Sequence, residues 1–345
     1  MEEARSRSNI RAVALGAGVS VSTVSRALNG YGDVSPETRR RVEETAERLG
    51  YRASHAASTL RRKQTNTVTF MVSKPWTKFV DPYFLGIIDG LELALTANGL
   101  DLQVTMARNF DAELDTIRRA VDRDRSDALI FARTRPEDER IQWLEQRGFP
   151  FITIGRTLQN SHSFVDRDQV RLGRDAVRRL SALGHKRIGQ LTTPLRYTYT
   201  HLTMQGVKEG LEAAGLAHDP LLDVECYLSR KTGEEAVTEL FMRGPRPTAL
   251  ICGNDLIAIS AMAGLRRLGL RPGEDVALIG CDDIPVAAYV RPSLTTFTLD
   301  LEALGIKLGQ MIVARLGGDL SVRQELIPAP MVIRQSDCPG GEDET

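Results

Sequence analysis

The segment Ile10-Arg11-Ala12-Val13-Ala14-Leu15-Gly16-Ala17-Gly18-Val19-Ser20-Val21-Ser22-Thr23-Val24-Ser25-Arg26-Ala27-Leu28-Asn29 holds two short helical patterns separated by a break. Ile10, Val13, Ala14 and Ala17 recur at i, i+3, i+4 and i+7, which makes one face of a first helix apolar. Gly16 and Gly18 bracket a tight turn, and Gly18 suits a backbone of positive φ. Ser20 predicts the N-cap of a second helix running to about Leu28, with Val21 or Val24, Ala27 and Leu28 on its buried side. Downstream, Ser35-Pro36-Glu37 repeats the start signal, an N-cap followed by proline at the first helical position. The third helix, over about 36–49, buries Val42, Ala46 and Leu49 and ends at Gly50. Two short helices joined by a Gly-containing turn and completed by a third predict an all-α helix-turn-helix head.

The outward positions of the second helix are small hydroxyls and one arginine, Arg26. Hydroxyls donate or accept, and a guanidinium chelates the two acceptors of a guanine or clamps a phosphate, so this face suits a major groove. A solvated three-helix bundle, or a protein–protein module, is the blander reading. Charge helps to separate them. The 345 residues carry 45 Lys+Arg and 45 Asp+Glu, a net of zero that taken alone argues against a basic nucleic-acid or anionic-membrane binder. The zero conceals a split: residues 1–63 hold 12 Lys/Arg against 7 Asp/Glu, net +5, and the rest hold 33 against 38, net −5. A basic head on an acidic body points to two tasks and favours DNA for the head.

From Thr67 the texture becomes α/β, with strands expected at 67–72, 102–106, 128–131, 151–154, 187–191, 249–252 and 276–280 and helices such as 84–97 and 111–122 between them. This alternation implies parallel sheets wound on both faces, and its length suits two doubly wound subdomains. No apolar run is long enough for a membrane helix and no apolar leader opens the chain, so a cytoplasmic protein without membrane contact is expected. Cys226, Cys252, Cys281 and Cys338 are far apart, as in a reduced compartment, and no histidine stands at zinc-ligand spacing; neither metal nor cofactor is expected. There is no G-x-G-x-x-G after the first strand, no G-x-x-x-x-G-K-[ST] and no G-x-S-x-G, so the body reads as a sensor and not as an enzyme.

Residues 10–29, with Val34-Ser35-Pro36-Glu37-Thr38-Arg39 and Leu49-Gly50-Tyr51-Arg52, resemble the N-terminal signature of the lactose/galactose repressor (LacI/GalR) family. Ala12 stands where that family usually carries an acidic residue. The resemblance implies that Val21 and Ser22 choose bases and that Arg26 fills the position of the family's arginine. It assigns Ser20, Thr23, Ser25, Asn29 and Ser35 to the phosphate backbone, where contacts set register without carrying sequence information. Residues 54–63 match the family's hinge helix, and Leu60 matches its lever leucine, which in a dimer wedges into the minor groove; Arg61 would follow onto phosphate. Ser54 and Ser58 depart from the usual Asn and Arg of that hinge.

In the body, Leu183-Gly184-His185-Lys186-Arg187-Ile188, Cys252-Gly253-Asn254-Asp255, Ile279-Gly280-Cys281-Asp282-Asp283 and Pro292-Ser293-Leu294-Thr295-Thr296 are similar to the family's turns, whose fold is that of periplasmic sugar-binding proteins. The organisation implied is a helix-turn-helix at 1–53, a hinge helix and linker at 54–66, and an effector-binding and dimerisation domain at 67–345. Its N-subdomain covers about 67–166 and 296–320, and its C-subdomain about 167–295 and 321–338. The effector is expected between the subdomains, at the C-terminal ends of the strands. Trp76, Phe79, Tyr83 and Phe84 crowd the loop after the first strand; Tyr83 and Phe84 are the favoured stacking pair, against the alternative that they only seat the next helix. Asn254 and Asp282 match positions that hydrogen-bond ligand hydroxyls, against the alternative of plain turn chemistry. Thr203 stands where many members place an effector-binding arginine, while the loop before it offers Arg196, Tyr197 and Tyr199. Either Arg196 reaches the cleft from another direction or the ligand lacks the group that arginine holds; a neutral sugar fits the second case. No heptad extension follows Arg334, so the tetramer-forming tail of the family's founding repressor is not expected; at least a homodimer on a pseudo-palindromic double-stranded operator is expected, acting as a repressor. The alternative is a global regulator that works with a protein co-repressor or answers to a non-sugar ligand.

Overall fold

A computed structural model of the protein describes residues 10–28, 31–51, 65–73, 82–227, 232–244 and 246–338. The chain divides into two units, Met1–Thr65 and Asn66–Thr345. Asn29, the hinge residues 54–63 with Leu60 and Arg61, and Trp76 and Phe79 lie outside the described residues.

The first unit contains α1 (Ile10–Ala17), α2 (Val21–Leu28) and α3 (Pro36–Arg48). Val13, Val24 and Val42 meet at its centre, and Ala14, Ala17, Ala27 and Ala46 let the three helices approach around them. Of the two valines open to burial in α2, Val24 is fully buried while Val21 is 42% exposed. Gly18 makes the turn at φ 64°. Ser35 caps α3 by accepting from Thr38 N, a contact of a kind that contributes about 1 kcal/mol. Leu49 is expected inside but lies at the surface: α3 ends at Arg48, and Leu49 caps it before Gly50 turns the chain at φ 61°.

The second unit is built on two parallel sheets. The first runs β11-β5-β4-β3-β1-β2, with β1 Thr67–Ser73, β2 Asp101–Ala107, β3 Ala128–Ala132, β4 Phe151–Ile154, β5 Phe164–Arg167 and β11 Gln324–Ile327. The second runs β7-β6-β8-β9, with β6 Ile188–Thr192, β7 Asp223–Glu225, β8 Ala249–Cys252 and β9 Ala277–Ile279. A short antiparallel pair, β10 (Thr296–Phe297) with β12 (Met331–Val332), adjoins it through an Ile279–Thr295 bridge. Central strands such as Ala128-Leu129-Ile130-Phe131-Ala132 are buried at every position, because helices cover both faces of a parallel sheet.

By sequence, 321–338 belong to the C-subdomain; instead β11 pairs in parallel with β5 as an edge of the first sheet, and only the chain beyond it returns to the second. The residues 296–297 assigned to the N-subdomain likewise lie with the second, where Phe297 packs in the core with Ile279. Helices are held close by glycines. A Cβ on Gly90 would stand 2.0 Å from Glu302 O, where Pro82–Thr96 crosses Leu301–Leu316, and one on Gly206 would stand 2.0 Å from Val170 O, where Thr198–Ala213 crosses Gln169–Ala182. The second crossing places the start of Thr198–Ala213 over the ends of the strands.

Candidate functional site

On the head, Ser20, Val21, Ser22 and Arg26 are exposed along one side of α2, and Thr23 and Ser25 are half-buried beside them. Ser20 Oγ accepts from Thr23 N at 3.1 Å and lies 2.7 Å from Ser22 Oγ and 2.8 Å from Thr23 Oγ1, so the cap is also the centre of a hydroxyl cluster. Arg26 Nε donates to Asp33 Oδ1 at 3.2 Å, the same pair makes a second guanidinium–carboxylate contact, and Arg26 lies over the Tyr31 ring. The side chain is thereby held at the C-terminal end of the helix with its charge at the surface. Ser35 Oγ serves as a cap, accepting from Thr38 N at 3.2 Å.

In the body, a cleft of about 950 Å3, open mouth included, lies between the C-terminal ends of the two sheets. Tyr83, Phe84, Tyr199, Thr203, Asn254 and Asp282 all line it. Tyr83 and Phe84 stand edge to face at 5.4 Å at the start of Pro82–Thr96, with Phe70 of β1 behind Phe84. Tyr199 stacks on Tyr197 at 5.4 Å, and burial pushes its phenol above the usual range. Thr203 Oγ1 lies 3.2 Å from Gln169 Oε1 and 3.0 Å from Tyr199 O.

Two of the expected residues are elsewhere. Tyr197 is buried behind Tyr199 and does not reach the lining, and Arg196 lies with its guanidinium over Phe110 at 4.6 Å. The cause is the turn before Thr198–Ala213, where Tyr197 N donates to Pro194 O and Thr198 N to Thr134 O across the cleft. This turn presents Tyr199 to the cleft and carries Arg196 to its rim.

The cleft does hold arginines, and they come from the other subdomain. Arg133, which follows β3 at φ 59°, lies over the Phe84 ring at 5.4 Å, and Arg167 ends β5. Arg133 sits on a loop fixed from below by a buried network: Arg140, fully buried, pairs with Asp138 at 2.6 Å and Glu113 at 2.9 Å, and Arg135 pairs with Glu113 at 2.7 Å. Arg167 donates from Nη2 to Asp282 Oδ1 at 2.9 Å and from Nη1 to Cys281 O, tying the first sheet to the second. Beside it, Asp166 lies 3.5 Å from Arg156, and burial pushes its carboxyl up to about 7.

Asn254 and Asp255 explain how the far wall is held. Asn254 Oδ1 caps Asp255–Arg267 by accepting from Ile257 N at 2.8 Å, so turn chemistry and cleft lining are served by one side chain. Asp255, fully buried, accepts from Cys281 N at 2.7 Å, Ile284 N at 2.9 Å and Thr296 Oγ1 at 2.6 Å, and so shapes the loop that carries Asp282. Burial raises its carboxyl to about 6, a cost these donors offset. Sequence reading misses Arg133, Arg167 and Asp255; a signal was present for Arg133, which closely follows the expected strand 128–131, since the C-terminal ends of strands form the site. Among the described residues, no cluster of His, Cys, Asp and Glu could hold a metal ion, and no helix is long and apolar enough to cross a membrane.

A helix-turn-helix head and a two-lobed body with a cleft between its sheets define a class: DNA-binding regulators that carry their own sensor. A family model described as bacterial regulatory proteins, lacI family, matches residues 9–54, and one described as a periplasmic binding protein-like domain matches 177–336. The chain is 32% identical to the HTH-type transcriptional regulator CelR of Thermobifida fusca over 97% of its own length and 99% of that protein. It is 30% identical to the HTH-type transcriptional repressor CytR of Escherichia coli K12, over 94% of each. Among solved structures it matches the CelR–cellobiose complex, TM-score 0.73 at 30% identity, covering 96% of this chain and 100% of that one. It also matches the lac repressor dimer bound to operator and the anti-inducer ONPF, TM-score 0.84 at 25% identity, with the same coverage. The chain belongs to the lacI family of bacterial regulatory proteins and is a transcriptional regulator.

Proposed function

We propose that the protein is a homodimeric repressor that binds a pseudo-palindromic operator through α2 and is controlled by a neutral sugar in the body's cleft. The observation that carries the ligand class is the lining itself. Aromatic faces at Tyr83, Phe84 and Tyr199 offer stacking to sugar C–H faces, and the Arg167 guanidinium is already matched by Asp282 at 2.9 Å. A guanidinium so matched favours a hydroxyl over a carboxylate or phosphate. The cellobiose bound by the similar CelR supports the same class.

Dimerisation is supported by apolar surface on neighbouring elements. The edge strand β2 exposes Val104 and Met106, and the helix Pro82–Thr96 exposes Leu85 and Leu93. In the dimer, paired hinge helices place Leu60 in the minor groove beside Arg61, while Val21, Ser22 and Arg26 read the major groove and Ser20, Thr23, Ser25, Asn29 and Ser35 hold phosphates. Ligand changes the angle between the subdomains and thereby the spacing of the hinges; it acts by binding one arrangement better than the other.

Calorimetry with neutral mono- and disaccharides and with nucleosides tests the ligand class. Heat from at least one neutral sugar is expected. Silence from every sugar with micromolar binding of a nucleoside would refute it.

A further inference from the structure

We infer that Arg167 is the specificity-determining donor of the cleft, reading a hydroxyl or ring oxygen of the effector through an N–H that its pairing leaves over, while Asp282 and the Cys281 carbonyl hold the guanidinium in place. This rests on the carbohydrate reading above and names the group that enforces it.

Arg167 lines the cleft and is 8% exposed. It is the last residue of β5, so its backbone is fixed in the first sheet by pairing with Ile327 of β11. Both of its terminal nitrogens are committed to the second sheet's loop: Nη2 to Asp282 Oδ1 at 2.9 Å, Nη1 to Cys281 O with Cys281 Sγ at 3.5 Å. The guanidinium carbon lies 5.8 Å from the centre of the Tyr83 ring. Two of the guanidinium's five N–H groups are spent on these oxygens, and Nε–H is buried with no hydrogen-bond partner among the described residues. A desolvated donor without an acceptor is costly, and a ligand oxygen that meets it recovers that cost.

The pairing also decides what kind of oxygen is accepted. With Asp282 at 2.9 Å, the charge of Arg167 is already matched, and a second carboxylate or a phosphate would be repelled by Asp282 as much as drawn by the arginine. A neutral acceptor takes an N–H of Arg167 without that conflict. Because the two halves of the mounting come from different sheets, the donor is correctly placed only when the subdomains are closed on each other. Ligand affinity and closure therefore share one side chain.

The test is calorimetric titration of the wild-type protein, R167K and R167Q with cellobiose, maltose, melibiose and trehalose, and with cellobiouronic acid as the charged probe. Lysine keeps the charge but has no Nε; glutamine removes both charge and fork. The double variant R167Q/D282N, which leaves no unpaired charge, covers the case in which the single variants do not fold, as judged by circular dichroism. The expected result is binding of at least one neutral disaccharide to wild type, about tenfold or more weaker in all three variants. Cellobiouronic acid should bind wild type at least about tenfold more weakly than that disaccharide. Equal binding of the neutral sugar by wild type and variants overturns this inference alone, leaving Arg167 as a tie between lobes. Tighter binding of the uronic acid also overturns it. A wild-type protein that binds none of the sugars overturns the carbohydrate reading, and this inference with it.

Discussion

Burial pushes the Asp166 carboxyl up to about 7, against the opposing pull of Arg156 and Arg167. The folded protein thus holds a proton that the unfolded chain releases near pH 4, so this group's contribution to stability falls as pH rises from about 4 to 7. Asp166→Asn, which mimics the protonated acid, should match wild type below pH 4 and exceed it above pH 7 by on the order of 2–4 kcal/mol. Thermal melts across that range check it; parallel profiles for the two proteins would refute the assignment. On the head, Arg26 is exposed and positioned by Asp33 and Tyr31. Arg26→Ala should weaken operator binding by about 10- to 100-fold, the value of a good bidentate contact, and more than it weakens binding to random DNA in the same salt. An equal loss on both DNAs would make Arg26 a phosphate clamp. Residue by residue, what the sequence made legible were side chains next to an unmistakable element boundary. Tyr83 and Phe84 open a helix, and Asn254 and Asp282 follow buried strands. Arg167 and Asp282 are 115 positions apart, and only the pairing of two sheets brings them together. Arg196 and Tyr197 were misplaced because composition does not state which way a turn aims its side chains.

The crossing of Gln169–Ala182 with Thr198–Ala213 sets where Tyr199 and Thr203 enter the cleft. Gly206→Ala would put a Cβ 2.0 Å from Val170 O and 2.8 Å from Val170 C, both backbone atoms that have little room to yield. The helices must part, at a cost of about 2–3 kcal/mol or more, with loss of ligand affinity as Tyr199 shifts. An unchanged melting temperature with unchanged ligand binding would show that the crossing does not position the site. Elements with strong apolar runs, such as β3 and β8, were plain in the sequence. The strand β5 was not, because Asp166 and Arg167 sit inside it. Such charges contradict a buried strand until Arg156 and Asp282, far along the chain, are seen to pair with them. β7 and β12 escaped because three- and two-residue strands carry no period to read.

At the scale of the whole molecule, the zero net charge is a cancellation between a basic head that presents Arg26 and an acidic body whose cleft pairs Arg167 with Asp282. The proposed function requires the two to communicate: a neutral sugar in the cleft alters what the head does on DNA. Fluorescence anisotropy tests it most directly, with the full-length protein titrated onto DNA from upstream of its own coding region and onto scrambled DNA at fixed salt. The titrations are run with and without the disaccharide that calorimetry shows to bind. The expected result is a preference for the upstream DNA of about a thousandfold or more, and a change in that affinity of about 5- to 150-fold when the sugar is saturating. A sugar that saturates the cleft and leaves operator affinity unchanged would contradict it.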